Sequence, residues 1–252
     1  MVGRRDRPMS TSRRLLVLVL TLAPGAARAQ VIDPLPVRAG TRYTVGAAGV
    51  YAQPLGEFGR NVRQGFGLDG FGTLGVDSRG IFRLRAELGY LQYSSKTEEF
   101  FLSTGGGFFE LESQTKSGVL TLGVGPQLMA PAGPIRPYAA ATVGFARYAT
   151  ETSINIPASV SNTGNTETLD KQTVSSDFVL SLAGAGGLAF ELNFLGRGVL
   201  GDLGVRYHRN GQAKYVTPEG VQYNGTGTAT VMPTESEADF LVYRIGIVVP
   251  LR

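Results

Sequence analysis

The sequence predicts an all-β fold: an eight-stranded antiparallel up-and-down transmembrane β-barrel. Three observations predict it. Eight segments of roughly ten to twelve residues alternate apolar and polar or small side chains with a period of two. After the first connection, the links between them alternate short and long. The chain opens with an export signal, and no later segment reads as a membrane helix.

The opening comes first in order. Residues 1–29 hold Arg4, Arg5, Arg7, Arg13, Arg14 and Arg28, then the apolar run Leu15–Leu22, then the small-x-small site Ala27-Arg28-Ala29. This is a secretory signal peptide, too short in its apolar run to span a bilayer. Translation starting at Met1 or at Met9 leaves a sufficient basic region. Six of the 24 basic and one of the 20 acidic residues lie in this segment, so the formal +4 of the whole chain becomes −1 without it. No nucleic-acid partner is therefore expected from the charge. The 252 residues contain no cysteine, which excludes a disulfide framework and a lipid-anchored cysteine. Residues 30–41, with Pro34 and Pro36, have no periodicity and read as a periplasmic lead-in. The expected barrel domain is 42–252.

Its first expected strand is 42–53, with Tyr43, Val45 and Tyr51 outward. The second is 65–76, with Phe66 and Leu68 outward and Asp69 inward. The turn Asp77-Ser-Arg-Gly80 leads to 81–93, where alternation is clearest: Phe82, Leu84, Leu88 and Tyr90 face Arg83, Arg85 and Glu87 across the strand. Then come 118–129, 137–148, 177–192 and 201–208, and a closing strand within 238–252 that sets Leu241, Tyr243, Ile245, Ile247 and Val249 on one face and Arg244 on the other. The intervening stretches 94–117, 149–176 and 209–237 are the expected long extracellular loops; the short links are the periplasmic turns. In lipid the sheet must close, since an open edge would leave backbone groups unpaired, so the first strand is expected to pair with the last. A soluble lipocalin-like barrel or sandwich, with the apolar faces inward, is the alternative. Tyr215-Val216 and Thr228–Val231 leave open a further hairpin, or ten strands.

The strand rhythm, the stretch Arg136-Pro-Tyr-Ala-Ala-Ala-Thr-Val-Gly-Phe145 and the C-terminal strand resemble the small outer-membrane barrels of the OmpA and OmpX kind, porin-family eight-stranded barrels, over about residues 42–252. The resemblance implies a cell outer-membrane protein, monomeric, in contact with outer-membrane lipid and lipopolysaccharide, and handled by the barrel-assembly machinery during biogenesis. The chain departs from it at the end. Such barrels usually close on an aromatic residue, and this one reads Val249-Pro-Leu-Arg252. No peptidoglycan-binding domain follows, so wall anchoring is not implied.

Three groups of residues are functional candidates. Asp69, Arg83, Arg85, Glu87, Glu191, Asp202, Arg206 and Arg244 are expected inside, as a charge network that plugs the lumen; a narrow path for ions or small solutes is the alternative. Tyr43, Tyr51, Phe66, Phe82, Tyr90, Phe178, Phe190, Tyr207 and Tyr243 are expected outward at the two membrane interfaces. Phe100, Phe101, Phe108 and Phe109 flank Ser-Thr-Gly-Gly-Gly in a hairpin expected to rise beyond the membrane as a surface for an extracellular partner. No catalytic group, metal or cofactor is expected. His208, in Tyr207-His-Arg-Asn-Gly211, faintly resembles the His-x-Ser-Asn stretch of lipid A deacylases, but lacks the intervening serine. Gly65-Phe-Gly-Leu-Asp-Gly70 and Gly184-Ala-Gly-Gly-Leu-Ala189 match dinucleotide-site patterns in letters only, because each continues as an alternating strand. The leading functional expectation is a non-enzymatic barrel with a structural or surface-interaction role.

Overall fold

The computed structural model describes residues 42–104, 107–156, 166–192, 198–223 and 229–251. The expected signal peptide and the lead-in lie outside these residues. The strands are β1 (Tyr43–Pro54), β2 (Gly65–Gly75), β3 (Phe82–Thr104), β4 (Gly107–Met129), β5 (Ile135–Ile156), β6 (Glu167–Glu191), β7 (Leu200–Asn210), β8 (Gln212–Tyr223), β9 (Ala229–Glu237) and β10 (Phe240–Leu251), with a short helix α1 (Phe58–Asn61) between β1 and β2.

Eight of these strands close a barrel in the order β1-β10-β7-β6-β5-β4-β3-β2, every neighbour antiparallel. Closure runs from Tyr43 opposite Leu251 to Pro54 opposite Phe240. The other two strands, β8 and β9, pair only with each other, as a hairpin inserted between β7 and β10. Tyr215-Val216 and Val231 thus build a separate hairpin, and the barrel stays at eight strands. The two glycine patterns run as strand in β2 and β6.

The period of two sorts the wall. On β3, Leu84, Leu88 and Tyr90 are exposed while Arg83, Arg85, Glu87 and Leu91 are buried. On β10, Tyr243, Ile245, Ile247 and Val249 are exposed while Phe240, Val242, Arg244 and Val248 are buried. The outward residues of all eight strands, Leu122, Phe145, Leu180 and Leu203 among them, form one continuous apolar belt. A belt of this extent exceeds the apolar patches of water-soluble monomers, and lipid is its compatible surrounding. No described helix is long and apolar enough to cross a membrane, which has no bearing on strands. From Phe82 to Tyr90, nine residues of β3 cross the belt, matching the roughly nine to eleven of a tilted membrane strand.

The strands run further than alternation alone indicates. Stretches expected as loops, 94–117 and 149–176, are largely ladder: Ser94 pairs with Ser117 and Thr104 with Gly107, while β5 and β6 stay paired out to Ile156 and Glu167. They carry hydroxyl ladders across the sheet, Thr115 with Thr152 at 2.8 Å and Ser117 with Thr150 at 2.9 Å. The sequence shows no apolar alternation there because neither face meets lipid. Four strands therefore continue as a sheet beyond the belt. A bulge between Gln92 and Ser94 leaves Tyr93 without a ladder partner at the level where β3 leaves the barrel. The short-turn end is tight: Asp77 Oδ1 accepts from the Phe82 amide at 2.9 Å, and Gly80 and Gly133 take positive φ.

Candidate functional site

The site is the lumen, and two levels of it are filled. The middle is charged. Arg85 Nε donates to Glu87 Oε2 at 2.7 Å, and Glu87 Oε2 lies 3.1 Å from Arg206 Nη2. Arg206 Nη2 donates to Asp69 Oδ2 at 2.7 Å, Asp69 Oδ2 accepts from Arg244 Nη1 at 3.3 Å, and Arg244 Nε donates to Asp202 at 2.8 Å. The result is an unbroken chain of alternating sign, Arg85–Glu87–Arg206–Asp69–Arg244–Asp202, drawn from β2, β3, β7 and β10. All six side chains are at most 6 % exposed. Three positive and three negative charges balance. At such burial one missing partner would leave a desolvated charge uncompensated. Glu87 also accepts from Thr142 at 2.9 Å, and Arg85 reaches Gln127 at 3.0 Å.

The ring of Phe71 lies between two of these arginines, with the Arg85 guanidinium 3.8 Å and the Arg244 guanidinium 4.5 Å from its centroid. Two glycines admit the arrangement. A Cβ on Gly46 would stand 2.4 Å from the Phe71 ring, and one on Gly204 would stand 3.2 Å from the Arg244 stem. Phe71 shares its strand face with Asp69 and Thr73, so its inward position follows from parity, yet a charge-led reading passes over it.

Two of the candidate charges sit apart from this chain. Arg83 is buried nearer the short-turn end, where its Nε donates to Thr73 Oγ1 at 2.7 Å. Glu191, expected in the interior network, is a correction. It lies at the end of β6 with its side chain 39 % exposed, paired with Arg136 at 2.7 Å. The strand terminates before it can carry that carboxylate into the lumen.

The long-loop level is apolar. Phe58 of α1 meets Tyr215 of β8, Tyr93 and Tyr148 edge-on, with centroids 4.8, 5.6 and 6.0 Å away. Val50, Leu91, Val119, Phe240 and Val242 complete this cluster from the wall. Tyr148 donates to the Ala238 carbonyl, Asn61 donates to the Tyr215 hydroxyl, and Tyr215 and Ser236 share a bond at 2.8 Å. The connection between β1 and β2 and the hairpin β8–β9 thus cap the barrel from inside. Both lie in connections without periodicity, where the only signal was an isolated aromatic.

His208 is buried beneath this cap, stacked on Phe240 at 4.6 Å. The fold supplies a serine that the local sequence does not, since Ser181 Oγ lies 3.3 Å from His208 Nδ1. The cavity beside the pair is about 10 Å³, room for one water at most. A lipid substrate has no access to it. No group of acidic or histidine residues suited to a metal ion occurs among the described residues.

Outside, Tyr51, Phe66 and Tyr243 cluster at the long-loop end on three adjacent strands, Tyr51 being 5.3 Å from Phe66 and 6.0 Å from Tyr243. Tyr90, Phe178 and Tyr207 are exposed at that end, as Tyr43 and Phe82 are at the other; Phe190 is half-buried, lying over Gly201. Phe101 is 63 % exposed on the sheet beyond the belt and Phe100 half-buried; the side chains of Phe108 and Phe109 lie outside the described residues.

A closed eight-stranded antiparallel ring, apolar outside and filled inside, defines a small up-and-down transmembrane β-barrel. No protein-family model matches the sequence, and no curated protein matches it. Solved structures of similar fold include surface protein A of Neisseria, 12% identical with a TM-score of 0.46, covering 84% of this chain and 99% of that one. Ail, the attachment invasion locus protein of Yersinia pestis, is 10% identical with a TM-score of 0.40, covering 82% and 95%. A major outer membrane protein of Thermus thermophilus is 14% identical with a TM-score of 0.43, covering 81% and 98%.

Proposed function

We propose that this protein is a non-enzymatic, non-conducting barrel of the outer membrane with a structural and surface-interaction role. The carrying observation is the doubly filled lumen: the charge chain across the middle and the aromatic cap above it. An ion entering would have to break buried pairs, and a solute would have to displace Phe58 and Tyr215. The four-stranded sheet beyond the belt, with Phe101 exposed among Glu98, Glu99 and Lys96, is the surface for an extracellular partner. Lipid and lipopolysaccharide surround the belt, the assembly machinery inserts the chain, and the barrel acts as a monomer. The exported precursor is expected to lose residues 1–29.

Planar-bilayer recording of purified, refolded protein tests this reading. The expected trace is flat at moderate voltage. Steady, discrete openings would overturn it and favour the narrow channel.

A further inference from the structure

Beyond the belt the sheet formed by β3, β4, β5 and β6 has two edges, and they are not alike. On β6, the pairing with β5 slips at Val174 and again at Leu169, each time leaving one β6 residue without a ladder partner. Bulges of this kind turn an edge away from further pairing. On β3 the ladder to β4 runs from Ser94 to Thr104 without a register shift. The pairing of β2 with β3 stops at Phe66 opposite Gln92, so among the described residues no strand pairs with the other side of β3 beyond that point. Ser95, Thr97, Glu98 and Glu99 are exposed along it. A straight, unpaired edge is a template for one more strand.

The side chains of this edge select the strand. Lys96 and Glu98 share one face, with Lys96 Nζ 3.1 Å from Glu98 Oε1 and donating to the Val221 carbonyl of β8 at 3.1 Å. Their side chains stay 35 % and 46 % exposed. The period of two lets only equivalent faces meet across an antiparallel pair. A second β3 laid antiparallel, with Thr97 opposite Thr97, sets Lys96 of each copy opposite Glu98 of the other, twice by symmetry. Centring the pair on Lys96 sets lysine against lysine, and centring it on Glu98 or Glu99 sets glutamate against glutamate. Like charges directly opposite are unfavourable, so one of these registers is favoured and the edge is complementary to itself.

We propose that this protein binds a second copy of itself through the β3 edge, with residues Ser94–Phe100 of the two chains forming an antiparallel pair. Barrels in one membrane point their β3 strands the same way. Antiparallel pairing therefore joins copies held in facing membranes and leaves each barrel a monomer in its own. The inference rests on the surface-interaction reading above and supplies its partner.

Sedimentation velocity of the refolded full chain in zwitterionic detergent, over a range of concentrations, tests the pairing. Wild type is expected to pass from monomer to dimer as concentration rises. Lys96→Glu and Glu98→Lys each set like charges opposite, and each is expected to dimerise about tenfold more weakly. An equimolar mixture of the two variants restores opposite charges at both crossings and is expected to dimerise like wild type, a rescue that a merely structural role for either residue does not produce. Heat-modifiable gel migration verifies that each variant folds. Phosphatidylcholine vesicles bearing wild type are expected to cluster, and vesicles bearing either variant alone to stay dispersed. A wild type that remains monomeric, single variants that pair like wild type, or a mixture no better than its parts overturns the proposal. Dimers in detergent beside wild-type vesicles that stay dispersed overturn the facing-membrane arrangement. Planar-bilayer recording does not sense this edge, so failure here and failure of the plugged-barrel reading are separate results.

Discussion

The middle of the lumen is filled by charge and its long-loop end by aromatic rings, although neighbouring residues of the same strands build both. The difference lies in where the filling comes from. The charged level is supplied entirely by strand positions, so its geometry is locked to the ladder and each side chain answers to a partner on its own strand or another. The aromatic level is supplied in part by inserted pieces, α1 and β8, which reach the wall through packing and a few hydrogen bonds. One level is part of the wall's own register. The other is a lid fitted afterwards, and it is expected to open at lower free energy than the barrel.

Substitutions separate the two. The largest effect is expected from Asp69→Ala, which breaks the chain between Arg206 and Arg244 and leaves three buried arginines against two acids. A loss of about 3–5 kcal/mol is the usual result of orphaning a buried charge, here read from urea unfolding in detergent. A second variant keeps this informative. Asp69→Asn retains shape and hydrogen bonding, and should be milder; equal losses would show that charge matters there and the retained geometry does not. Phe58→Ala should cost about 3 kcal/mol, typical of truncating a buried phenylalanine, but confined to the cap. It is measured as faster proteolysis of the link between β1 and β2 while heat-modifiable migration persists. Collapse of the whole barrel in that variant would abolish the distinction drawn here. Gly46→Ala drives a methyl group into the Phe71 ring and should cost about 1–3 kcal/mol, as overpacking does. Combining it with Phe71→Leu should recover part of the loss. The smallest effect is expected from Tyr215→Phe, which keeps the ring stack and removes the bonds to Asn61 and Ser236, about 1 kcal/mol by the same proteolysis assay.

How far the sequence could be read follows from the same contrast. Strands that meet lipid on one face and the lumen on the other must alternate, so β3 and β10 are legible from residues such as Leu84, Arg85 and Leu88, or Tyr243, Arg244 and Ile245. Beyond the belt the constraint disappears. Ser113, Thr115 and Ser117 pair as firmly as any strand but carry no apolar signature, which is why ladder reads as loop there. Inward arginines and acids could be assigned by parity, whereas the order in which they join could not. That order depends on the cross-barrel neighbourhood of β2, β3, β7 and β10. Glu191 shows the limit of parity, since a residue on the correct face at a strand terminus is left partly exposed and apart from the buried charge chain. Phe58, Tyr93 and Tyr215 form one cluster from three places far apart in sequence, and nothing local to any of them names the other two. Ser181 beside His208 is a similar case, because the pairing of β6 with β7 makes neighbours of residues that no short motif connects.

The pairing of β1 with β10 has a consequence in time. Tyr43 meets Leu251, nearly the full described length of the chain away, so the ring cannot be sealed until the last strand has been made. Any shorter product carries two raw edges that lipid will not accept. Loop-closure entropy is met all at once at the final step, so insertion is expected to be slow and all-or-none. A partly made copy is a template for aggregation rather than a smaller barrel.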